Sequence, residues 1–231
     1  MQQFFPYTIQ HNSFLLSADR CIFWDEKKVL IVSDLHFGKT GHFRKSGIAV
    51  PQNIFKEDLQ RFAMLLQSFK PASVLVIGDM FHSHDNREHE LFVKWRKDFE
   101  QMQIQLVKGN HDILHRNWYA AAGIDIIHKR MDIQNFSFVH DVCDINDDEE
   151  EAAAERYFFS GHIHPGISIS GTGRQSLRFP CFYFAKKYAV LPAFSRFTGA
   201  HAIKPKQGEN VFALIPASVQ SRQQGGLLKV F

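Results

Sequence analysis

Asp34-Leu35-His36, Gly78-Asp79, Gly109-Asn110-His111-Asp112, His140 and Gly161-His162-Ile163-His164 follow one another along a chain of 231 residues. Together they offer carboxylate, imidazole and amide donors in number enough for two divalent metals. One histidine, His111, is left over and need not bind metal. A shared carboxylate can hold two cations about 3.5–4 Å apart and let a water between them lose its proton near neutral pH, so the inventory suits hydrolysis of a phosphate ester. Neutral imidazoles accept borderline ions such as Mn, Fe, Zn or Ni, and few other chemistries call for so many N and O donors without a thiolate. A spare imidazole such as His111 can protonate a leaving alkoxide, an effect typically worth about 10²- to 10⁴-fold in rate.

The elements that must position these residues share one local grammar. Residues 29–32, 74–77, 104–107, 136–139 and 157–159 are short apolar runs, and a candidate donor follows each within a few residues. Such runs, bounded by Gly, Asp or Ser, predict buried strands. A polar residue just past a strand sits on the carboxyl edge of the sheet, where open α/β sheets place their sites. Phe55, Leu59, Phe62, Leu66 and Phe69 recur at helical spacing up to Pro71, and Leu91, Phe92, Trp95, Phe99 and Met102 make a second core-facing stripe. Residues 113–122 predict a short helix stopped by Gly123. Strand-helix alternation predicts mainly parallel pairing in the first half. Further strands are expected at 14–16, 21–24, 168–170, 177–184, 188–191 and 211–215, with Gly171-Thr172-Gly173 as a hairpin turn.

Not every polar residue belongs to this set. A single Asp after a strand is usually a turn or helix cap, but that reading does not extend to a matched series. His82 and His84 follow Gly78-Asp79 in a polar loop and are candidates for substrate contact. His89, His115 and His128 read as surface histidines, and Cys143 as a bystander. Lys39, His42, Arg44 and Lys45 form a basic loop beside the first motif, with Lys39, Arg44 and Lys45 placed to meet phosphate. The acidic run at 144–155 reads as a solvated segment.

Composition narrows the classes. At 45% hydrophobic, 231 residues suit one α/β domain spanning 1–231. Three cysteines without a CxxC pair argue against a disulfide framework and for a reducing compartment. No apolar run reaches the roughly 18 residues of a membrane span, and the first residues lack a signal-peptide pattern, so a cytoplasmic protein with no membrane partner is expected. Residues 166–231 carry nine Lys or Arg against one acid, Glu209, whereas the remainder is net negative. A basic segment attracts polyanions through counterion release. Phe179, Phe182, Tyr183, Phe184, Phe194 and Phe197 interleave with it, and alternation of this kind reads as core packing ahead of base stacking.

The series DLH, GD, GNHD, H and GHIH resembles the calcineurin-like metallophosphoesterase superfamily over roughly residues 28–166. DLHFGK, GDMFHS, KGNHD, GHIHPG and LPAFSRFTGA further resemble the bacterial ligase-associated DNA damage response phosphoesterases, known as endonucleases. The resemblance implies a four-layer α/β/β/α sandwich of two mixed sheets flanked by helices. It implies one metal on Asp34, His36, Asp79 and His164, a second on Asp79, Asn110, His140 and His162, His111 facing the scissile group, and Asp112 orienting His111. Manganese is the expected metal, with iron, zinc or nickel as alternatives. The implied activity is hydrolysis of phosphodiesters, in DNA during repair, alongside a DNA ligase and a helicase. A small-molecule phosphatase or nucleotide pyrophosphatase on the same centre, and a non-catalytic scaffold, are the competing readings. Retention of His111 and of every expected ligand argues against the scaffold.

Overall fold

The computed structural model describes residues 3–51, 53–84, 86–145, 156–171, 175–217 and 225–231. The expected turn at Gly171-Thr172-Gly173 and most of the acidic run therefore lie outside the described residues. In chain order the elements are β1 (Phe4–Ile9), β2 (Asn12–Ser17), β3 (Cys21–Trp24), β4 (Val29–Val32), α1 (Lys39–Lys45), α2 (Asn53–Phe69), β5 (Ser73–Ile77), α3 (Arg87–Arg96), β6 (Gln103–Val107), α4 (Arg116–Ala121), β7 (Ile124–Ile127) and β8 (Arg130–Ile133). They continue with β9 (Phe136–Val139), β10 (Tyr157–Ser160), β11 (Pro165–Ser170), β12 (Ser176–Phe184), β13 (Tyr188–Val190), β14 (His201–Ala202), β15 (Asn210–Ile215) and β16 (Gly226–Lys229).

One sheet runs β1 to β7 in sequence order. Its first four strands form an antiparallel meander, and β4 to β7 are parallel neighbours. The second sheet runs β14-β11-β12-β13-β10-β9-β8, with β15 and β16 branching from β12. Within it β9, β10 and β13 are parallel. Both sheets are thus mixed, as expected.

Burial explains why the parallel strands read as predominantly apolar runs. Leu30, Val32, Val74, Val76, Ile104 and Leu106 face Phe55, Leu59, Phe62 and Phe92 of α2 and α3. Their alternates Val29, Ile31, Leu75, Ile77 and Val107 face Phe136, Phe138, Phe159 and Phe182 across the space between the sheets. Trp24, fully buried there, meets Phe136 with ring centroids 5.0 Å apart. α4 also lies on the first sheet through Tyr119. The outer face of the second sheet carries a smaller cluster built on Cys181, Tyr183, Val190 and Val211.

Several elements differ from expectation. The basic stretch at 39–45 is a helix rather than a loop. α4 begins at Arg116 instead of residue 113, with the His115 side chain accepting from Asn117 N–H. His89, expected at the surface, is fully buried, and its Nδ1 accepts from Asn86 N–H at the start of α3 (3.0 Å). β1 contains Pro6, a poor strand signal that is tolerated because β1 is an edge.

Candidate metal centre

Each strand ends as the ligands begin. Asp34 and His36 follow β4, Asp79 follows β5, Asn110 and His111 follow β6, His140 follows β9, and His162 and His164 follow β10. The turns are tight. Asp34, His36, Asp79, His162 and His164 all have positive φ, between 48° and 66°. Non-glycine residues rarely adopt this left-handed region.

Two clusters result. Asp34, His36 and His164 form one, and Asp79, His140 and His162 the other; in each, one donor atom per residue lies within 4.8 Å of the others. His36 Nε2 and His164 Nε2 are 3.3 Å apart, and His164 Nε2 is 3.4 Å from Asp34 Oδ1. In the second cluster His140 Nε2 lies 3.1 Å from His162 Nδ1 and 3.0 Å from Asn110 Oδ1. Asp79 Oδ2 stands between the clusters, 3.5 Å from His140 Nε2 and 3.9 Å from His36 Nε2. Imidazole nitrogens converging on carboxylate and amide oxygens are a donor set that fits borderline divalent cations. Burial holds the His36 imidazolium far below its ordinary pKa, with Lys39 and His164 adding to the effect, so the ring is neutral and free to donate a lone pair. Burial raises the Asp79 carboxyl, while His140 and the His111 N–H pull it down.

The surroundings hold the ligands rigid. The Ser33 hydroxyl lies 2.6 Å from Asp34 Oδ2 and 2.7 Å from the Ile77 carbonyl. Asp34 Oδ2 also accepts from His162 N–H (3.1 Å), which ties a ligand of one sheet to a ligand of the other. Phe194 N–H and Ser195 N–H donate to the carbonyls of Ser33 (2.8 Å) and Asp34 (3.2 Å). That 194–195 segment is clamped in turn. Arg20 Nη1 donates to the carbonyls of Ala193 and Ser195, while Arg61 Nη2 donates to that of Phe194 and to Asp58 Oδ1. Gly78 has φ +75°, and a Cβ there would overlap the His140 ring. The sequence reading missed Ser33, Arg20, Arg61 and Asp141. Only Ser33 and Asp141 carried a signal, being the immediate neighbours of Asp34 and His140; Asp141 Oδ2 lies 3.6 Å from His162 Nε2.

The remaining expected residues divide. His111 is half-buried; its N–H donates to Asp79 Oδ1 (2.8 Å), and its ring lies 4.4 Å from that of His82 and 5.4 Å from that of His36. Asp112 does not orient the His111 ring. Its oxygens accept from Phe81 N–H and Gly109 N–H, both at 2.9 Å, because the carboxylate points back into the loop that carries His111. Burial pushes its carboxyl up to about 7 against those two donors. Burial also pulls the His82 imidazolium down to about 4, with His111 the next cause. Lys39 is half-buried, and the charges of Asp79 and Asp34 partly offset the burial that lowers its pKa. Arg44 is bound to buried Glu88, and Lys45 and His84 are exposed, outside the ring cluster. Of the C-terminal aromatics, Phe182, Tyr183, Phe184 and Phe194 are buried in the core, as the packing reading expects.

Among the described residues, no helix is long and apolar enough to cross a membrane. Among solved structures, the chain is similar to nuclease MPE of Pseudomonas putida, at 24% identity and TM-score 0.76 over 91% of this chain and 96% of that one. It also matches a phosphoesterase of E. coli at 13% identity and TM-score 0.39, over 82% and 88% of the two chains. A protein of unknown function from Aquifex aeolicus matches at 18% identity and TM-score 0.39, over 63% and 82%. The first match shows the fold. No curated protein matches the sequence. The family model for calcineurin-like phosphoesterases matches residues 27–180, which span β4 to β12 and every donor above. The chain therefore belongs to the calcineurin-like phosphoesterase family, hydrolases that act on phosphoester bonds.

Proposed function

We propose that the chain is a phosphodiesterase with two divalent metals, manganese first among them, and that its substrate is DNA. The observation that carries the reading is the position of Asp79 Oδ2 within 3.9 Å of an imidazole from each cluster. Asp34, His36, Asp79 and His164 would hold one ion, and Asp79, Asn110, His140 and His162 the other. When bound, such a pair polarises the phosphoryl group and lowers the pKa of water.

The chain's own groups do the rest. His111 donates a proton to the leaving oxygen. Its backbone N–H fixes one oxygen of Asp79, leaving the other for the ions. Asp112 is a positioning residue, because its two backbone hydrogen bonds set the shape of the 109–112 loop. Lys39 and His82 stand beside the clusters, where they meet phosphoryl oxygens.

DNA is preferred to a small metabolite because the Asn110–His140–His162 side opens into a cleft of about 470 Å³ that runs on into a second of about 750 Å³, an extended path that suits a polymer. The name of the Pseudomonas putida nuclease and the ligase-associated motifs support the same substrate and a repair setting beside a ligase and a helicase.

The test is a count of metals per chain together with a substrate panel in manganese. Two ions in the wild type, loss from both clusters in Asp79→Asn, and turnover of DNA ahead of nucleotides and phosphomonoesters are expected. Full metal occupancy in Asp79→Asn would refute the bridge. Efficient hydrolysis of a nucleotide with DNA untouched would replace the nuclease by a metabolite phosphatase.

A further inference from the structure

The cleft beside His140 and His162 runs on toward the far edge of the molecule. A neighbouring cleft of about 750 Å³ shares Lys108, His128 and Asp144 with it and adds Lys129 and Arg130. The topology explains this path. β7 is the last strand of the first sheet and β8 the last of the second, so the 128–129 turn joins the two sheets at their edge. Lys108 N–H donates to the Ile127 carbonyl (2.8 Å), holding the end of β6 beside that turn. The groove therefore follows the seam between the sheets.

The two clefts carry both signs, but most of their acids are engaged. Asp132 is taken up by Arg130 (3.1 Å) and Arg156 (3.6 Å), and Asp141 lies against His162. Asp112 accepts from Phe81 N–H and Gly109 N–H, and Asp144 is the remaining acid of the two clefts. Lys108 and Lys129 have no ion-pair partner among the described residues. A lysine ammonium meets phosphate as a point charge without demanding one geometry, which suits a backbone that must slide past an active site. The opposite side differs, for there Arg44 is spent on Glu88.

We infer that a polynucleotide strand leaves the metal centre along this seam, with its phosphates on Lys108 and Lys129. The inference rests on the phosphodiesterase reading and adds the direction the substrate takes. The test is fluorescence anisotropy of a labelled, phosphorothioate-linked single-stranded oligodeoxynucleotide with the metal-loaded protein over a range of salt. Each lost phosphate contact on a single strand removes roughly 0.7 from the slope of log affinity against log salt. Lys108→Gln with Lys129→Gln is expected to bind more weakly at low salt and to flatten the slope by about 1.4. Lys129→Gln alone is expected to flatten it by about 0.7, which keeps the test sound should a change at Lys108 disturb β6. Lys204→Gln with Lys206→Gln makes the same change in net charge at exposed sites elsewhere and is expected to leave the slope as it is. Equal flattening in that control, or an unchanged slope in the Lys108 and Lys129 variants, would overturn the inference. Turnover of a small chromogenic phosphodiester by the wild type, measured separately, decides the catalytic reading without touching this result.

Discussion

Gly161 sits where no side chain fits. A Cβ there would overlap Ser33 Oγ and Asp34 Oδ2, and the Gly161 N–H donates to the His140 carbonyl (3.0 Å). The residue lets the β10 turn press against the β4 turn, so that His162 N–H reaches Asp34. Gly161→Ala must push Asp34 aside. Overpacking of this kind costs about 1–3 kcal/mol, and the displaced carboxylate belongs to the Asp34–His36–His164 cluster. The variant should fold with a lowered Tm and lose metal from that cluster first; full occupancy at an unchanged Tm would show that the turn relaxes freely. At this scale the sequence was informative about identity and silent about conformation. The residue types and their order picked out the groups that gather in the two clusters. That Asp34, His36, Asp79, His162 and His164 would be left-handed was not legible, because Asp and His are enriched in that region yet still adopt it only in a small minority of cases. Strain of this kind concentrates at functional sites, where the surrounding structure over-determines it. The partners of Asp112 were not legible for a related reason: a carboxylate next to a histidine in sequence does not reveal which backbone N–H groups will claim it.

Elements bounded by strong apolar runs were legible, and those held by tertiary contacts were not. β4, β5, β6, β9 and β10 announced themselves because burial on both faces leaves few polar positions, with Gln103 and Gln105 of β6 among the less buried exceptions. α1 gave no such signal. It is seven residues long, has Gly41 inside it, starts at Gly38 without a side-chain cap, and buries only Thr40. Contacts with α3 hold it instead: the Thr40 hydroxyl donates to Glu88 Oε1 (2.5 Å), and Arg44 pairs with the same carboxylate. Glu88 is 4% exposed, so losing a partner leaves a buried charge poorly matched. Arg44→Ala and Glu88→Ala should each lower stability by about 1–3 kcal/mol. Together they should cost clearly less than their sum, since the two side chains act as one unit. Denaturant midpoints of the two single variants and the double variant provide the check. Additive losses, or an Arg44→Ala variant of unchanged stability that binds DNA poorly, would return Arg44 to the role of a phosphate ligand.

At the scale of the whole molecule, each donor cluster straddles the two sheets. Asp34 and His36 come from the first sheet and His164 from the second; Asp79 comes from the first, His140 and His162 from the second. A bound cation would thus be a cross-link between layers otherwise joined by apolar packing and by hydrogen bonds such as His162 to Asp34. A ligand that binds only the folded state adds about 2.7 kcal/mol at a hundredfold excess over its Kd. For a chain of this size 1 kcal/mol moves Tm by roughly 2–4 °C. Each site filled at that excess should therefore raise Tm by about 5–11 °C, and a chelator should reverse the shift. The variants separate cross-linking from catalysis. Asp79→Asn should lose most of the manganese-dependent shift because its carboxylate faces both clusters. His111→Ala should keep the shift while turnover falls, because its ring lies outside them. A His111→Ala protein that lost the shift would make His111 a ligand. A wild-type Tm unmoved by manganese, with ions demonstrably bound, would mean that the clusters hold metal without drawing the sheets together.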